Sequence, residues 1–282
     1  APRVLGLAGG RRNWVNRYED ARSSLDLGSR SALVRPRSRV SWLPAACIVA
    51  RVDALGGGFS PELRVAEDVD LVWRLVESGW RVRYEPRATV RHEHRSEVLV
   101  WMRRKAFYGT GALGLGLRHP QNIAPVVLAP WSAGLLAVLL AQRRWSLPVA
   151  GGILVVVVVR IARKLRRSDH PLRLASRLTA DGVAATLQQG SALLLRHWWP
   201  LAAIGSVFSR RLRRAVLVAG VLDVVVERRR TRAAMGFATF GIARRLDDLA
   251  YGAGVWWASI RGRSLLPLVP DVRSRREGDA AQ

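Results

Sequence analysis

The chain of 282 residues has a single cysteine, Cys47, and only two lysines, Lys105 and Lys164. One cysteine excludes an internal disulfide framework and a cysteine-based zinc site. The neighbours of Cys47, from Ala45 to Val49, read as a buried strand, in which a free thiol behaves as a small hydrophobe. Acids are also scarce, 21 against 46 Lys plus Arg, so a net charge of +25 is carried almost wholly by arginine. The start of the chain holds arginine and glycine without an apolar core, so no signal peptide is visible in this stretch. Aromatics make up only 7%, yet 11 of them are tryptophan.

Such a charge balance calls for an anionic partner. Nucleic acid is the weaker choice. The arginines are spread along the chain without aromatic interleaving, and no nucleic-acid-binding motif is present. Arginine beside long apolar runs fits a membrane surface better.

Residues 1–108 read as α/β, with the chain opening inside an apparent strand, Val4–Leu7. That opening is expected to be a cut within a domain. Residues 13–27 are helical or irregular, and 37–42 and 46–50 are strand candidates. Gly56-Gly57-Gly58 breaks the chain. Helical spacing of Leu71/Leu75 and Val72/Val76, acids in the first turn and Gly79 past the end predict a helix over Val69–Ser78. Trp80, Val82 and Tyr84 then alternate with Arg81 and Arg83 as a half-buried strand, and 88–92 form a second one.

The character changes from about Gly109. Residues 123–141 are uncharged over a length near the ~20 residues of a membrane span, with a kink expected at Pro125 and Pro130. Leu147–Val159 is shorter and intensely apolar, so 120–162 reads as a helical hairpin across a bilayer. Arg160, Arg163, Lys164, Arg166, Arg167, Arg173 and Arg177 follow, and Arg103, Arg104 and Lys105 precede. The positive-inside rule puts both groups, and the α/β part, on the cytoplasmic side. Beyond Arg177 the segments 192–208, 215–226, 233–243 and 244–261 suit interfacial or re-entrant helices, and the tail after Pro270 suits disorder.

Asp68 is the candidate general base, able to take the proton of an acceptor hydroxyl, with Glu67 setting its position or touching the acceptor. Asp70 sits where it favours the helix dipole, and all three acids also suit plain helix capping. His92 and His94 form His-x-His, which on a strand shares one face and could meet one metal or phosphate; a surface strand end is the alternative. Gly109-x-Gly111-x-x-Gly114 lacks the preceding strand and βαβ unit of a dinucleotide site, and small residues near a membrane entry account for it better. Arg103, Arg104, Lys105 and Tyr108 fit a diphosphate or a membrane anchor. Asp247-Asp248 looks like a metal pair, but Arg244 and Arg245 at helical spacing favour ion pairing.

Taken together, Leu55–Phe59, Glu67–Leu71, Arg74-Leu75, Gly79–Val82 and Pro86…His92 resemble the second half of a family 2, GT-A fold glycosyltransferase over residues 1–110. Residues 17–28, 43–46, 103–109 and 245–252 resemble the mycofactocin-system members of that family, which extends the likeness over nearly the whole chain.

The resemblance implies an α/β, Rossmann-like acceptor-side half over 1–110 and a membrane-spanning and interfacial helical region over 111–282. It implies an inverting transfer of glucose from UDP-glucose to premycofactocin, extended as a β-1,4-linked glucan, at the cytoplasmic face of the cell membrane. Asp68 matches the family's base, assisted by Glu67. Asp70, Trp80, Arg103, Arg104 and Lys105 become substrate-binding candidates, and His92 or His94 a ligand near the metal or diphosphate. A divalent ion, Mg or Mn, would be held largely by a DxD motif expected before Ala1. On this reading the chain is a fragment, inactive alone. Ala66, where many relatives carry Gly, and the third glycine of Gly56–Gly58 depart from the family pattern. The alternatives are a related transferase with a lipid or polysaccharide acceptor, a non-catalytic membrane scaffold and a nucleic-acid binder.

Overall fold

The computed structural model describes residues 1–7, 13–93 and 96–273. The described chain forms two compact units, 1–123 with 224–267, and 124–223 with 268–282 up to the last described residue. The division expected at residue 110 falls inside a helix, and the units part at Ile123 instead.

In the first unit the elements run β1 (Pro2–Leu7), α1 (Trp14–Ala21), β2 (Ala32–Leu33), α2 (Val52–Leu55), α3 (Glu67–Glu77), β3 (Arg83–Glu93) and α4 (Val98–Arg118). The sheet order is β1-β3-β2, with β1 parallel and β2 antiparallel to β3. The two strands expected over 80–92 are one, Arg83–Glu93, whose pairing with β1 shifts register between Glu85 and Thr89; Trp80 lies outside it, 39% exposed. Asn13 caps α1, accepting from the Asn16 N–H at 3.1 Å, as orphan first-turn donors require.

The strand candidates 37–42 and 46–50 are not strands. Arg37 takes φ 62°, and the carbonyl of Val40 accepts from the Arg35 N–H at 3.3 Å and from Ser38 Oγ at 2.8 Å, which closes a turn. Val40 and Leu43 are nonetheless buried, against Val72, Trp73 and Tyr84. Their hydrophobicity serves the core without a ladder. Residues 46–50 pair with no strand among the described residues; Val49 is exposed and Cys47 is a partly exposed free thiol.

The last helix of this unit, α10 (Phe237–Arg261), differs most from expectation. It is a core helix, not an interfacial one, with Phe240, Ala243 and Val255 fully buried. It lies against α4 at backbone contact. A Cβ on Gly109 would run into the Tyr251 carbonyl, and one on Gly254 into the Ala106 carbonyl. The glycine spacing of α4 is therefore a helix-packing device, neither a nucleotide loop nor a membrane entry. Buried charges on α10 are paired: Asp248 with Arg244 at 2.6 Å and Arg245 at 3.0 Å, Asp247 with Tyr18 at 2.9 Å and Arg22 at 3.2 Å.

The second unit holds β4 (Val127–Leu128), α5 (Pro130–Ala141), α6 (Ser146–Lys164), α7 (Pro171–Ala192), α8 (Trp199–Phe208) and the first part of α9 (Arg210–Thr231). A π turn over Leu193–His197 continues α7. The uncharged stretch 123–141 is not one span: extended backbone leads to Pro130, which starts a helix of 12 residues, about 18 Å at ~1.5 Å per residue. Proline here opens the helix and does not kink it. Among the described residues α6 alone is long and apolar enough to cross a membrane, by length and composition. Of the tail expected to be disordered, β5 (Asp271–Val272) pairs in parallel with β4, and 274–282 lie outside the described residues.

Candidate active site

The segment before α3 sets the site. Ala66 has φ 64° and ψ 21°, the left-handed region, which costs a non-glycine residue ~1–2 kcal/mol. A Cβ on Gly111 of α4 would come within 2.9 Å of the Ala66 methyl, and one on Gly114 within 2.8 Å of Leu63. The bare face of α4 therefore holds the strained turn in place. Glu67, Asp68 and Asp70 follow in the first turn of α3.

Asp68 and Asp70 stand two residues apart in opposite surroundings. Asp68 is partly buried, its Oδ2 accepting from the Ala45 N–H at 3.1 Å and its Oδ1 from the Val69 N–H at 2.8 Å. Burial raises its pKa above the ordinary carboxylate value; the backbone N–H groups pull the other way, and the charge of Glu67 adds to the rise. Each carboxylate oxygen still has room for a further donor. A carboxylate with a raised pKa and spare acceptor capacity suits proton abstraction.

Asp70 is fully buried and spent on the fold. Oδ2 accepts from Ser60 Oγ at 2.8 Å and Arg74 Nε at 2.9 Å, while Oδ1 accepts from Arg118 Nε at 2.8 Å and faces His119 Nε2 at 3.1 Å. Burial opposes its ionisation, but Ser60, Arg74, His119 and Arg118 more than offset that and hold its pKa at about 2. With both oxygens engaged by the chain, Asp70 serves as an anchor, in place of the expected substrate contact. Arg118 Nη2 also donates to Ser60 Oγ at 2.9 Å, so the loop after Gly56–Gly58 is tied to α3 and α4 together.

His119 is the functional-looking residue that sequence reasoning missed. Its other nitrogen lies 3.1 Å from Glu77 Oε1, and its ring stands edge-on to Trp73 at 5.3 Å. Asp70 and His119 are 49 residues apart, with no local spacing to announce them. Only the polar step Arg118-His119 between two apolar segments marked the place.

The remaining candidates divide between two cavities of the first unit. One, of about 40 Å³ at the end of β3, is lined by His92, Ser23, Ser24, Arg104 and Tyr108 among others. The Arg104 guanidinium lies 4.9 Å over the Tyr108 ring. Lys105 also lines it, but its Nζ pairs with Glu19 at 2.9 Å and reaches Asp247 at 3.7 Å in a buried cluster. Lys105 is therefore structural rather than a free phosphate ligand. Arg103 is exposed beside it. The other cavity, about 360 Å³, is lined by Trp80, Leu71, Leu75 and Arg51, whose guanidinium sits 6.0 Å over the Trp80 ring. Asp68 lines neither cavity, but α4 links it to the first: from Arg104 to Gly111 is seven residues, about 10 Å of helix.

His94 lies outside the described residues. Among those described, no group of three His, Cys, Asp or Glu could hold a metal ion. His92 alone does not make a site for a divalent ion.

A carboxylate held by backbone N–H groups at the turn into α3, in a unit that also carries a three-stranded sheet and a cavity lined by Arg104 and His92, suits a group-transfer enzyme. The chain belongs to the glycosyl transferase family group 2, whose profile matches residues 4–221. It is 42% identical over 285 residues to the pre-mycofactocin glycosyltransferase of Mycobacterium tuberculosis, in strains CDC 1551 / Oshkosh and ATCC 25618 / H37Rv alike. That alignment covers 97% of this chain and 60% of each relative, so the chain spans about three-fifths of their length. No solved structure is significantly similar to it.

Proposed function

We propose that this chain carries the general base and acceptor side of a glycosyltransferase that moves glucose from UDP-glucose to a mycofactocin precursor. The observation that supports it most is the carboxylate of Asp68. It is raised in pKa by burial, held by two backbone N–H groups, and set in the string Glu67-Asp68-Val69-Asp70-Leu71. The likeness to the pre-mycofactocin enzyme over nearly all of this chain favours that acceptor over a lipid or polysaccharide.

In the mechanism Asp68 accepts the proton of the acceptor hydroxyl as its oxygen attacks the anomeric carbon from the face opposite the leaving group, which inverts the configuration. The bond to the diphosphate breaks. Arg104, seated on Tyr108, and His92 line a small cavity and could meet the charge of an anionic leaving group there. Asp70, Arg118 and Gly111 fix the base without touching substrate. The reaction takes place at the cytoplasmic face of a membrane, to which the second unit attaches.

The test is Asp68→Asn in the full-length protein, assayed for glucose incorporation from UDP-glucose into the mycofactocin precursor. Transfer should fall at least ~100-fold with the fold intact. Retained transfer would remove Asp68 as the base. Transfer to other acceptors only would replace the acceptor.

A further inference from the structure

The charge of the second unit is arranged differently from that of the first. From Arg160 to Arg177 there are seven cations, Arg160, Arg163, Lys164, Arg166, Arg167, Arg173 and Arg177, against one acid, Asp169. All seven are exposed, and none pairs with a carboxylate among the described residues. Helix-dipole compensation explains a cation or two in the last turn of α6, where Arg166 Nε also donates to the Arg163 carbonyl at 3.0 Å. It does not explain cations on both sides of the α6–α7 turn. Exposed apolar side chains adjoin them: Val155 at 63% and Val156 at 56% on α6, Leu172 at 63% on α7. Water is a poor partner for that apolar surface. A nucleic acid would satisfy the cations but leave the valines and leucines exposed. A bilayer with anionic headgroups satisfies both at once.

We infer that the α6–α7 turn is a binding surface for anionic phospholipid headgroups, with the apolar face of α6 in the adjoining acyl region. This rests on the reading of the second unit as membrane-attached and adds which lipid it selects and through which residues. Cations near a charged surface act together, and salt screens them.

The experiment is cell-free synthesis of the full chain with vesicles of phosphatidylcholine alone, or of phosphatidylcholine with phosphatidylglycerol, followed by flotation. The chain should partition about tenfold or more in favour of the anionic vesicles at low salt, and the preference should shrink at high salt. A variant with Arg163, Lys164, Arg166 and Arg167 changed to Gln should lose that preference while still floating with neutral vesicles and keeping its circular dichroism. Equal flotation with both vesicles would overturn the headgroup inference and leave membrane attachment standing. Flotation with neither would overturn both. Binding of duplex DNA with the same affinity, lost in the same variant, would overturn the choice of lipid.

Discussion

The two units handle charge in opposite ways. Around the site of the first, acids and bases are buried and matched, although Arg64, Arg81 and Arg91 of the same unit are exposed: Asp70 takes donors from Ser60, Arg74 and Arg118, and Lys105 sits between Glu19 and Asp247. In the second, the cations of the α6–α7 turn face outward beside exposed Val155 and Leu172. Buried matched charges are costly to disturb and fix geometry. Exposed cations contribute little to folding and much to what the surface attracts. Arginine richness is thus two features, one that builds a site and one that meets a surface.

The sharpest break in this contrast is Asp70→Asn. It leaves Arg74 and Arg118 facing a neutral group in a buried hub and should cost about 2–3 kcal/mol in chemical denaturation, discounted because both arginines are about one-third exposed. The pH dependence has a definite sign. The folded pKa of about 2 lies below the ordinary 3.8, so the stabilisation is full above about 4 and is lost as pH falls towards 2. The variant should lack that acid-range loss.

Gly254→Ala comes next. Its methyl would meet the Ala106 carbonyl, and backbone cannot give way as a side chain can; a loss of about 2 kcal/mol is expected from thermal melts. Gly111→Ala follows, about 1–2 kcal/mol, since its methyl would stand 2.9 Å from the Ala66 Cβ, which is fixed to the backbone, and 3.3 Å from the Val65 carbonyl, but not as close to backbone as at Gly254. It should still lower transfer in the full-length protein by displacing the turn before Asp68. Smallest is the four-cation change in the second unit, expected within about 0.5 kcal/mol of the parent. A large loss there would erase the distinction between the units.

The local features were legible in the sequence. The helix at α3 was read within two residues because its period, its acidic first turn and Gly79 lie in one short stretch. The ion pairing of Asp248 with Arg244 and Arg245 followed from helical spacing. The non-local features were not. Residues 37–42 carry strand-like side chains, but a strand needs a neighbour, and the burial of Val40 and Leu43 is met by a turn. The helix α10 looked interfacial because its charges and tryptophans were read alone. Its partners, Tyr18, Arg22 and the bare face of α4, lie more than 100 residues away. The hub of Asp70 with His119 was hidden for the same reason.

The account turns on Asp68 being a base and not a helix cap, and one variant separates these. A capping aspartate loses stability when neutralised. Asp68 has a folded pKa raised by burial, so its charged form is disfavoured by folding: it favours the fold at low pH and loses that contribution as pH rises through the raised value. Asp68→Asn in the full-length protein, measured at neutral pH for both melting temperature and glucose transfer, should melt close to the parent, the relief of a buried charge offsetting the one backbone N–H left without an acceptor, and transfer at least ~100-fold more slowly. A variant that melts lower and still transfers sugar would contradict the account.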